Sequence, residues 1–249
     1  MNMETFGTEF GTVHVGATEE LFGELARLGT AAWRAAAGTR FSWALTGGST
    51  PKAWYRWAVA RRALPAELLA ATEWFVSDER CVPATSDESN FGNAARLLLD
   101  PLDVAKDRRH PWPVELAPAL AAEAFAAASD AVCGAGRGFS LCLLGLGDDA
   151  HTASLFPGSP LLATDSTARF AAVEVPDRGW RLTLTPAGLA ACERIVVHAT
   201  GAAKAAAVRR IFGGDEPVSA VPAKVLRAAA ERTTWLLDEA AAAECPLVR

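Results

Sequence analysis

His151 is the side chain of this sequence best suited to move a proton at neutral pH. It lies in a glycine-rich segment, residues 145–151, that directly follows an apolar run. A free imidazole titrates at about pH 6.5, so it can accept a proton from water. A neighbouring carboxylate, Asp148 or Asp149, could hold the other ring nitrogen, as carboxylates do in catalytic triads. The segment therefore predicts a catalytic pair of His151 and Asp149, although Asp148 stays open as the carboxylate that orients the ring. A histidine with a purely structural role is the alternative.

A second segment, Thr46-Gly-Gly-Ser-Thr-Pro51, predicts an anion site. Gly47 and Gly48 let the backbone approach a ligand, and Ser49 and Thr50 add hydroxyl groups. The helix expected to follow would direct free N–H groups and its positive dipole end at a phosphate. The segment is not a P-loop, because the pattern G-x-x-x-x-G-K-[ST] is absent. A plain capped turn between a strand and a helix is the alternative.

Positive charge for such an anion comes from separate segments. Arg80 ends the run Ser77-Asp-Glu-Arg80, Arg181 begins Arg181-Leu-Thr-Leu-Thr185, and Lys204 follows Thr200-Gly201. An arginine donates two parallel hydrogen bonds to phosphate, whereas a lysine acts as a point charge. Each of these cations, taken alone, could equally be a solvated surface charge.

Near Arg80, carboxylates could accept hydrogen bonds from sugar hydroxyls, and an amide could accept from them or donate to them. The predicted substrate-binding residues are Gly47, Gly48, Ser49, Thr50, Asp78, Glu79, Arg80, Asn90, Arg181 and Lys204.

Short apolar runs that alternate with helical segments must carry these residues. Strands are predicted at 41–46, 72–77, 139–144, 169–175, 181–185, 194–198 and 233–237, and helices at 18–37, from 49 onward, and at 90–99, 117–133, 202–212 and 221–230. Such alternation predicts one α/β domain, residues 1–249, with a mostly parallel sheet flanked by helices on both faces. Ligands bind at the carboxyl ends of the strands in such sheets, and each motif above follows a predicted strand.

Composition narrows the classes of function. The chain has 249 residues, 51% of them hydrophobic, and a net charge of −5, whereas nucleic-acid binders usually carry positive charge. Five scattered cysteines and four histidines show no metal-site spacing, which predicts reduced thiols and no metal. No signal peptide and no apolar run of membrane-spanning length is visible. We therefore expect a cytoplasmic protein that binds neither nucleic acid nor membrane.

A weak nucleotide signal remains. Gly145-Leu-Gly-Asp-Asp-Ala150 fits a variant of the dinucleotide fingerprint, and Asp165 lies at the distance expected of a ribose ligand. The two aspartates of the fingerprint segment would, however, repel a pyrophosphate.

Together the segments resemble the 6-phosphogluconolactonase family. The resemblance is carried by Thr46–Pro51, by Ser77–Arg80 with Ser89-Asn90, and by Gly145–Gly158. The run His151-Thr-Ala-Ser-Leu-Phe-Pro157 is its most specific part. The order and spacing of the motifs match over most of the chain, from about residue 40 to residue 228.

The resemblance implies a Rossmann-like domain related to the glucosamine-phosphate isomerases. It implies hydrolysis of 6-phospho-D-glucono-1,5-lactone to 6-phosphogluconate, a step of the oxidative pentose phosphate pathway, without a metal or cofactor. His151 would activate water as the general base, and Arg80 and Lys204 would bind the phosphate. The expected partner is thus a small phosphorylated sugar lactone, and the expected state is a monomer or weak homodimer.

The chain departs from the family at one position, where Asp149-Ala150-His151 replaces the usual Asp-Gly-His. Glycine tolerates a positive φ that alanine resists at a cost of about 1 kcal/mol, so the loop is either ordinary or slightly strained here.

Two other functions stay open. An amino-sugar-phosphate isomerase/deaminase would carry an Asn-Gly-His motif and a Phe-Asn-Glu-Pro segment, which this sequence lacks. A non-catalytic sugar-phosphate-binding module would not need the intact set of His151, Arg80 and Lys204.

Overall fold

The computed structural model describes residues 3–36 and 40–247. Its strands are β1 (Glu4–Thr8), β2 (Gly11–Gly16), β3 (Phe41–Leu45), β4 (Thr72–Val76), β5 (Asp78–Arg80), β6 (Leu141–Leu144), β7 (Phe170–Val175), β8 (Gly179–Leu184), β9 (Ile195–Ala199) and β10 (Thr233–Asp238). Its α-helices are α1 (Thr18–Ala35), α2 (Ser49–Arg61), α3 (Ala66–Ala71), α4 (Asn90–Ala94), α5 (Pro118–Cys133), α6 (Pro186–Ala191) and α7 (Ala205–Gly213).

The main sheet has seven strands in the order β1-β2-β10-β9-β6-β3-β4. Its strands pair in parallel except β1 with β2, which form an antiparallel hairpin at one edge. The predicted α/β fold with a mostly parallel sheet is therefore confirmed. A separate three-stranded antiparallel sheet, β5-β8-β7, was not predicted, and neither was the β1–β2 hairpin.

Alternating side chains of the central strand β3 show how helices cover both faces of the main sheet. Every residue of β3 is buried, which explains its continuous apolar run. Trp43 packs against Trp54 of α2 and lies directly under Gly29 of α1. The next residue back, Ser42, interacts with Cys133 at the end of α5. Since neighbouring residues of a strand point to opposite faces, α1 and α2 cover one face and α5 the other.

The observed helices differ from the predicted ones mainly in helix type. The helix predicted at 90–99 is α-helical over α4 and π-helical over Ala95–Leu99. The helix predicted at 202–212 begins as a 3-10 turn over Ala202–Lys204. The one predicted at 221–230 is 3-10 helical within Pro222–Arg232 and is interrupted by a kink at Ala229. The helix predicted at 18–37 ends at Ala35, and residue 37 lies outside the described residues.

The strand order places a crevice between β3 and β6. From β3 the chain proceeds outward to β4, whereas β6, β9 and β10 fill the sheet in the opposite direction. Loops that leave the carboxyl ends of β3 and β6 therefore diverge and leave room for a ligand. Within the described residues, no helix combines the length and the apolar character needed to cross a membrane.

Candidate active site

A cavity of about 260 Å³ opens at this crevice. Most of the residues predicted from the sequence to form a site line it. These are Gly47, Gly48, Ser49, Thr50, Asp78, Arg80, Asn90, His151 and Lys204. Asp149 does not line the cavity but is hydrogen-bonded to His151, which does. Glu79 and Arg181 are not among the lining residues.

His151 is held by Asp149 through two hydrogen bonds. The His151 Nδ1 atom lies 2.5 Å from Asp149 Oδ1, and the His151 backbone N–H donates to the same oxygen at 3.0 Å. Burial alone would raise the pKa of Asp149, but the hydrogen bonds and charge of His151, with the charge of Arg178, lower it to about 2. An ionised Asp149 must accept from Nδ1–H. The proton-accepting lone pair is therefore on Nε2, which has no hydrogen-bond partner among the described residues.

The imidazole is packed against a glycine and against an aromatic ring. A methyl group at Gly147 would overlap the Nδ1 and Cε1 atoms of His151. The Phe156 ring centroid lies 4.2 Å from that of His151, with the planes tilted by 30°. The guanidinium of Arg178 in turn lies over the Phe156 ring, 4.9 Å from its centroid. The imidazole thus has little freedom to rotate away from Asp149.

The loop that carries His151 is strained at the position where the family usually has glycine. Ala150 has φ of 67°, in the left-handed region that costs an L-residue about 1–2 kcal/mol. Its N–H donates to the Gly147 carbonyl at 3.1 Å, and its side chain is fully buried. Of the two possibilities that the sequence left open, the structure therefore shows the strained loop.

The loop from Thr46 to Thr50 forms the opposite wall of the cavity. Gly48 has φ of 108° immediately before α2, a conformation that favours glycine. No side chain caps this helix, so its first N–H groups, at residues that line the cavity, have no intrahelical acceptors. The buried hydroxyl of Tyr55 donates to the Thr46 carbonyl and accepts from the Thr46 N–H, which fixes the start of the loop. This wall can hold an anion at the helix N-terminus.

Asp78 and Arg80 both face the cavity from β5. The Asp78 carboxylate accepts hydrogen bonds from the hydroxyls of Ser77, at 3.0 Å, and Ser154, at 2.7 Å. Arg80 pairs across the strands with Arg181 of β8, so the two side chains lie on the same face of the small sheet. Burial and the charge of Arg80 lower the pKa of the Arg181 guanidinium.

No ion pair neutralises these arginines within the described part of the chain. Arg80 donates to the Glu88 carbonyl, and Arg181 donates to the carbonyls of Arg178 and Trp180. Like charges directly opposite each other on paired strands are destabilising. The pair therefore favours an anion at this edge of the cavity, and Arg181 stays a predicted substrate ligand.

Glu79 is turned away from the cavity. Its carboxylate accepts hydrogen bonds from the Ser89 hydroxyl, at 2.9 Å, and from the N–H groups of Asn90 and Phe91, at 2.7 and 2.8 Å. Burial raises the pKa of Glu79 although these bonds oppose the shift. Glu79 therefore holds the N-terminus of α4, which differs from the substrate contact predicted from the sequence.

Asn90 fills the space next to Gly47. A methyl group at Gly47 would overlap the Asn90 side chain, whose amide donates to the Asp78 carbonyl at 2.9 Å. Asn90 thereby ties the loop after β3 to β5. Any side chain at residue 47 would displace the Asn90 amide from the Asp78 carbonyl.

Lys204 reaches the cavity from the segment between β9 and α7. Its ammonium group has no ion-pair partner among residues 3–36 and 40–247. The segment is linked to the start of α2 because the hydroxyls of Thr50 and Thr200 lie 2.8 Å apart. Lys204 and the start of α2 are thus linked parts of one cavity wall whose charge and N–H groups suit an anion.

From the sequence, His198 ends the strand predicted at 194–198, and this position predicts a hydrogen-bonded core residue. It is fully buried, as expected, and packs edge-on against Phe22 with ring centroids 5.3 Å apart. Neither ring nitrogen has a hydrogen-bond partner in the described part of the chain, so the hydrogen-bonded part of that interpretation is wrong. Burial lowers the pKa of His198 to about 3, and the ring lines the cavity as a neutral group.

Phe156 and Asp238 are two residues near the cavity whose roles were not predicted from the sequence. Phe156 stands in a segment already selected, but nothing in the sequence indicated its contact with His151. Asp238 ends β10 and could have been selected by the same rule that selected the other motifs, since it stands at the carboxyl end of a parallel strand. Among the described residues, no group of three or more histidines, cysteines and carboxylates is placed to hold a metal ion.

The arrangement can bind an anion and transfer a proton in the same cavity. One wall offers the N-terminus of α2 and the cation of Lys204, and another offers Arg80. The imidazole of His151, with its oriented lone pair, lines the same cavity. Such a site suits general-base chemistry on a small phosphorylated molecule.

Comparison with known proteins gives consistent matches. Residues 17–235 match the family described as glucosamine-6-phosphate isomerases/6-phosphogluconolactonase. A 6-phosphogluconolactonase of Synechocystis is 36% identical over 203 residues, which cover 80% of this chain and 82% of that protein. The enzyme of that name from Bos taurus is 36% identical over 221 residues, or 83% and 81% of the two chains. The solved structure of 6-phosphogluconolactonase from Trypanosoma cruzi superposes with a TM-score of 0.80 at 28% identity, covering 93% of this chain and 95% of that one.

Proposed function

Because this chain belongs to the glucosamine-6-phosphate isomerase/6-phosphogluconolactonase family, we propose that it hydrolyses 6-phospho-D-glucono-1,5-lactone to 6-phospho-D-gluconate. The resemblance found in the motifs is confirmed by the family match over residues 17–235. Relatives at 36% identity support the lactonase activity over the isomerase activity of the same family. The reaction is a step of the oxidative pentose phosphate pathway.

One observation carries the proposal beyond the family to this chain's own residues. His151, oriented by Asp149, shares a single cavity with Arg80 and Lys204, the cations best placed to bind a phosphate. A phosphate held by these cations and by the N-terminus of α2 would fix the rest of a small sugar near the imidazole. Binding energy from the phosphate would thereby orient the reacting carbonyl.

The reaction proceeds in two steps. In the first, His151 Nε2 takes a proton from water while the water oxygen bonds to C1 of the lactone, and the carbonyl electron pair moves onto oxygen. In the second, that pair re-forms the carbonyl, the bond between C1 and the ring oxygen breaks, and the imidazolium returns its proton to the leaving oxygen. Asp149 stabilises the imidazolium between the steps, and backbone N–H groups of the glycine-rich loops are available to the oxyanion.

Assaying two substrates in parallel tests the proposed function. The purified chain should form 6-phosphogluconate from fresh lactone faster than spontaneous hydrolysis, measured by coupled oxidation of the product. It should release no ammonia from glucosamine-6-phosphate. Ammonia release without lactone turnover would identify an isomerase/deaminase instead. Tight binding of 6-phosphogluconate without turnover of either substrate would identify a binding module.

Loss of either cation should weaken substrate binding more than chemistry. We expect Arg80→Gln and Lys204→Met each to raise KM for the phosphorylated lactone about 10–100-fold with kcat little changed, since a charge-assisted hydrogen bond contributes about 1.5–3 kcal/mol. Steady-state kinetics with the phosphorylated and the unphosphorylated lactone measure the effect, which should be confined to the former. Arg61→Gln, which removes an exposed arginine paired with Glu19 outside the cavity, is the control. An unchanged KM in both variants would contradict the assignment.

A further inference from the structure

The position of Lys204 depends on two residues that precede it. The segment leaves β9 at Thr200 and turns at Gly201, whose φ is 94°. The Lys204 N–H donates to the Gly201 carbonyl at 3.0 Å, which closes the turn. Because the ammonium group makes no ion pair within the described residues, the backbone of this turn decides where the side chain can reach.

Asp238, at the end of the neighbouring strand β10, holds this turn from behind. The Gly201 N–H donates to both oxygens of its carboxylate, at 2.9 and 3.1 Å. The carboxylate also accepts from the Ala241 N–H at 2.8 Å and from the Thr18 hydroxyl at 3.3 Å. Asp238 forms no ion pair with any described residue and does not line the cavity. A charged acceptor strengthens a hydrogen bond to a backbone N–H, so this carboxylate fixes the turn firmly.

Thr200 fastens the turn from the cavity side. The Thr200 N–H donates to the Thr50 hydroxyl at 3.3 Å, and the two threonine hydroxyls lie 2.8 Å apart. Thr50 belongs to the first turn of α2 and lines the cavity. Residues 200 and 201 are therefore held on one side by the anion-binding loop and on the other by Asp238.

We propose that Asp238 and Thr200 are positioning residues that hold Lys204 at the distance from the α2 N-terminus that one phosphate group requires. The proposal rests on the proposed function only in taking phosphate as the anion. Neither residue contacts the substrate. A merely structural role would lower the stability of the fold without a selective effect on phosphorylated ligands.

A double-mutant cycle tests the proposal. Asp238→Asn keeps the size of the side chain but removes its charge and replaces one of the two oxygens that accept from Gly201 by an N–H₂ group, so the bond from the Gly201 N–H is weakened. We expect KM for the phosphorylated lactone to rise roughly tenfold with kcat nearly unchanged, and KM for the unphosphorylated lactone to stay constant. In a Lys204→Met background, the same change should have less than about a twofold effect, because the group it positions is gone. An equal rise of KM in both backgrounds would overturn the proposal.

Two further variants keep the test decisive if Asp238→Asn does not fold. Thr200→Val retains the branched shape, removes the hydroxyl, and should couple to Lys204→Met in the same way. Thr18→Val removes another partner of Asp238 that lies outside the turn, and should leave KM unchanged. Additive effects of Thr200→Val and Lys204→Met would also overturn the proposal.

Direct binding separates this proposal from the proposed function. Titration calorimetry with inorganic phosphate measures the anion site whether or not the lactone is turned over. Asp238→Asn and Thr200→Val should weaken phosphate binding by the factor seen in KM. If the wild-type chain binds phosphate but does not hydrolyse the lactone, the proposed function fails and the positioning role stands. If both variants bind phosphate as the wild type does, the positioning role fails alone.

Discussion

Replacement of His151 by asparagine is expected to lower kcat about 10²–10⁴-fold while KM for the phosphorylated lactone changes little. The size of the effect is that of general-base catalysis by a positioned side chain. KM should be conserved because the groups assigned to the phosphate, Arg80 and Lys204, lie on other loops. Steady-state kinetics, corrected for spontaneous hydrolysis of the lactone, measure both constants.

The dependence of kcat on pH strengthens this test. Since the pKa of Asp149 is lowered to about 2, from an ordinary value of 3.8, its carboxylate stays ionised in the folded chain throughout the usable pH range. A fall of kcat in mildly acidic solution would therefore not come from protonation of Asp149. The His151→Asn variant should lack that fall.

A control histidine is available on the β1–β2 hairpin. His14 accepts or donates a hydrogen bond with the Thr5 hydroxyl and lies outside the cavity. His14→Asn should keep full activity. Near-normal turnover in His151→Asn would refute the assignment of the base and leave the family membership intact.

The alternation of strand β5 explains why part of the site could not be predicted from the sequence. Ser77-Asp-Glu-Arg80 was selected as a unit, because adjacent charged residues after an apolar run suggest a ligand site. In a strand, successive side chains point to opposite faces. Asp78 and Arg80 therefore face the cavity and Glu79 the opposite side, where it holds α4. Recognising residues 78–80 as a strand required its pairing with β8, which lies about a hundred residues away in the chain.

The loops that follow the strands of the main sheet were predictable for a simple reason. A short apolar run identifies a buried strand, and the carboxyl ends of parallel strands meet at one edge of a sheet. That rule predicts from the sequence alone that Gly47, His151 and Lys204 lie at the same edge of the sheet. It could not decide between Asp148 and Asp149 as the partner of His151, because that choice depends on the backbone conformation of a strained loop.

Gly147 offers a sharper test of the geometry around the base, because the change leaves every reacting side chain in place. Gly147→Ala would put a methyl group into the space of the His151 ring. The same methyl group would lie 2.6 Å from Asp149 Oδ1. Either the imidazole or the carboxylate must move. A misplacement of about 1 Å costs roughly 10²-fold in rate, so we expect a fall of kcat of that order.

The same loop supplies a matched control for this change. A methyl group at Gly145 would meet only the Gly47 carbonyl, at 3.4 Å, so Gly145→Ala should retain most of the activity. Inorganic phosphate should bind to both variants with wild-type affinity, because neither methyl group displaces the loop that follows β3: the methyl group at Gly145 meets the Gly47 carbonyl at an ordinary contact distance. Gly147→Ala should therefore separate intact phosphate binding from lost turnover. The thermal transition of Gly147→Ala verifies that the variant is folded. If its kcat then equals that of the wild type, the close packing of Gly147 against the imidazole is not what orients the proposed base.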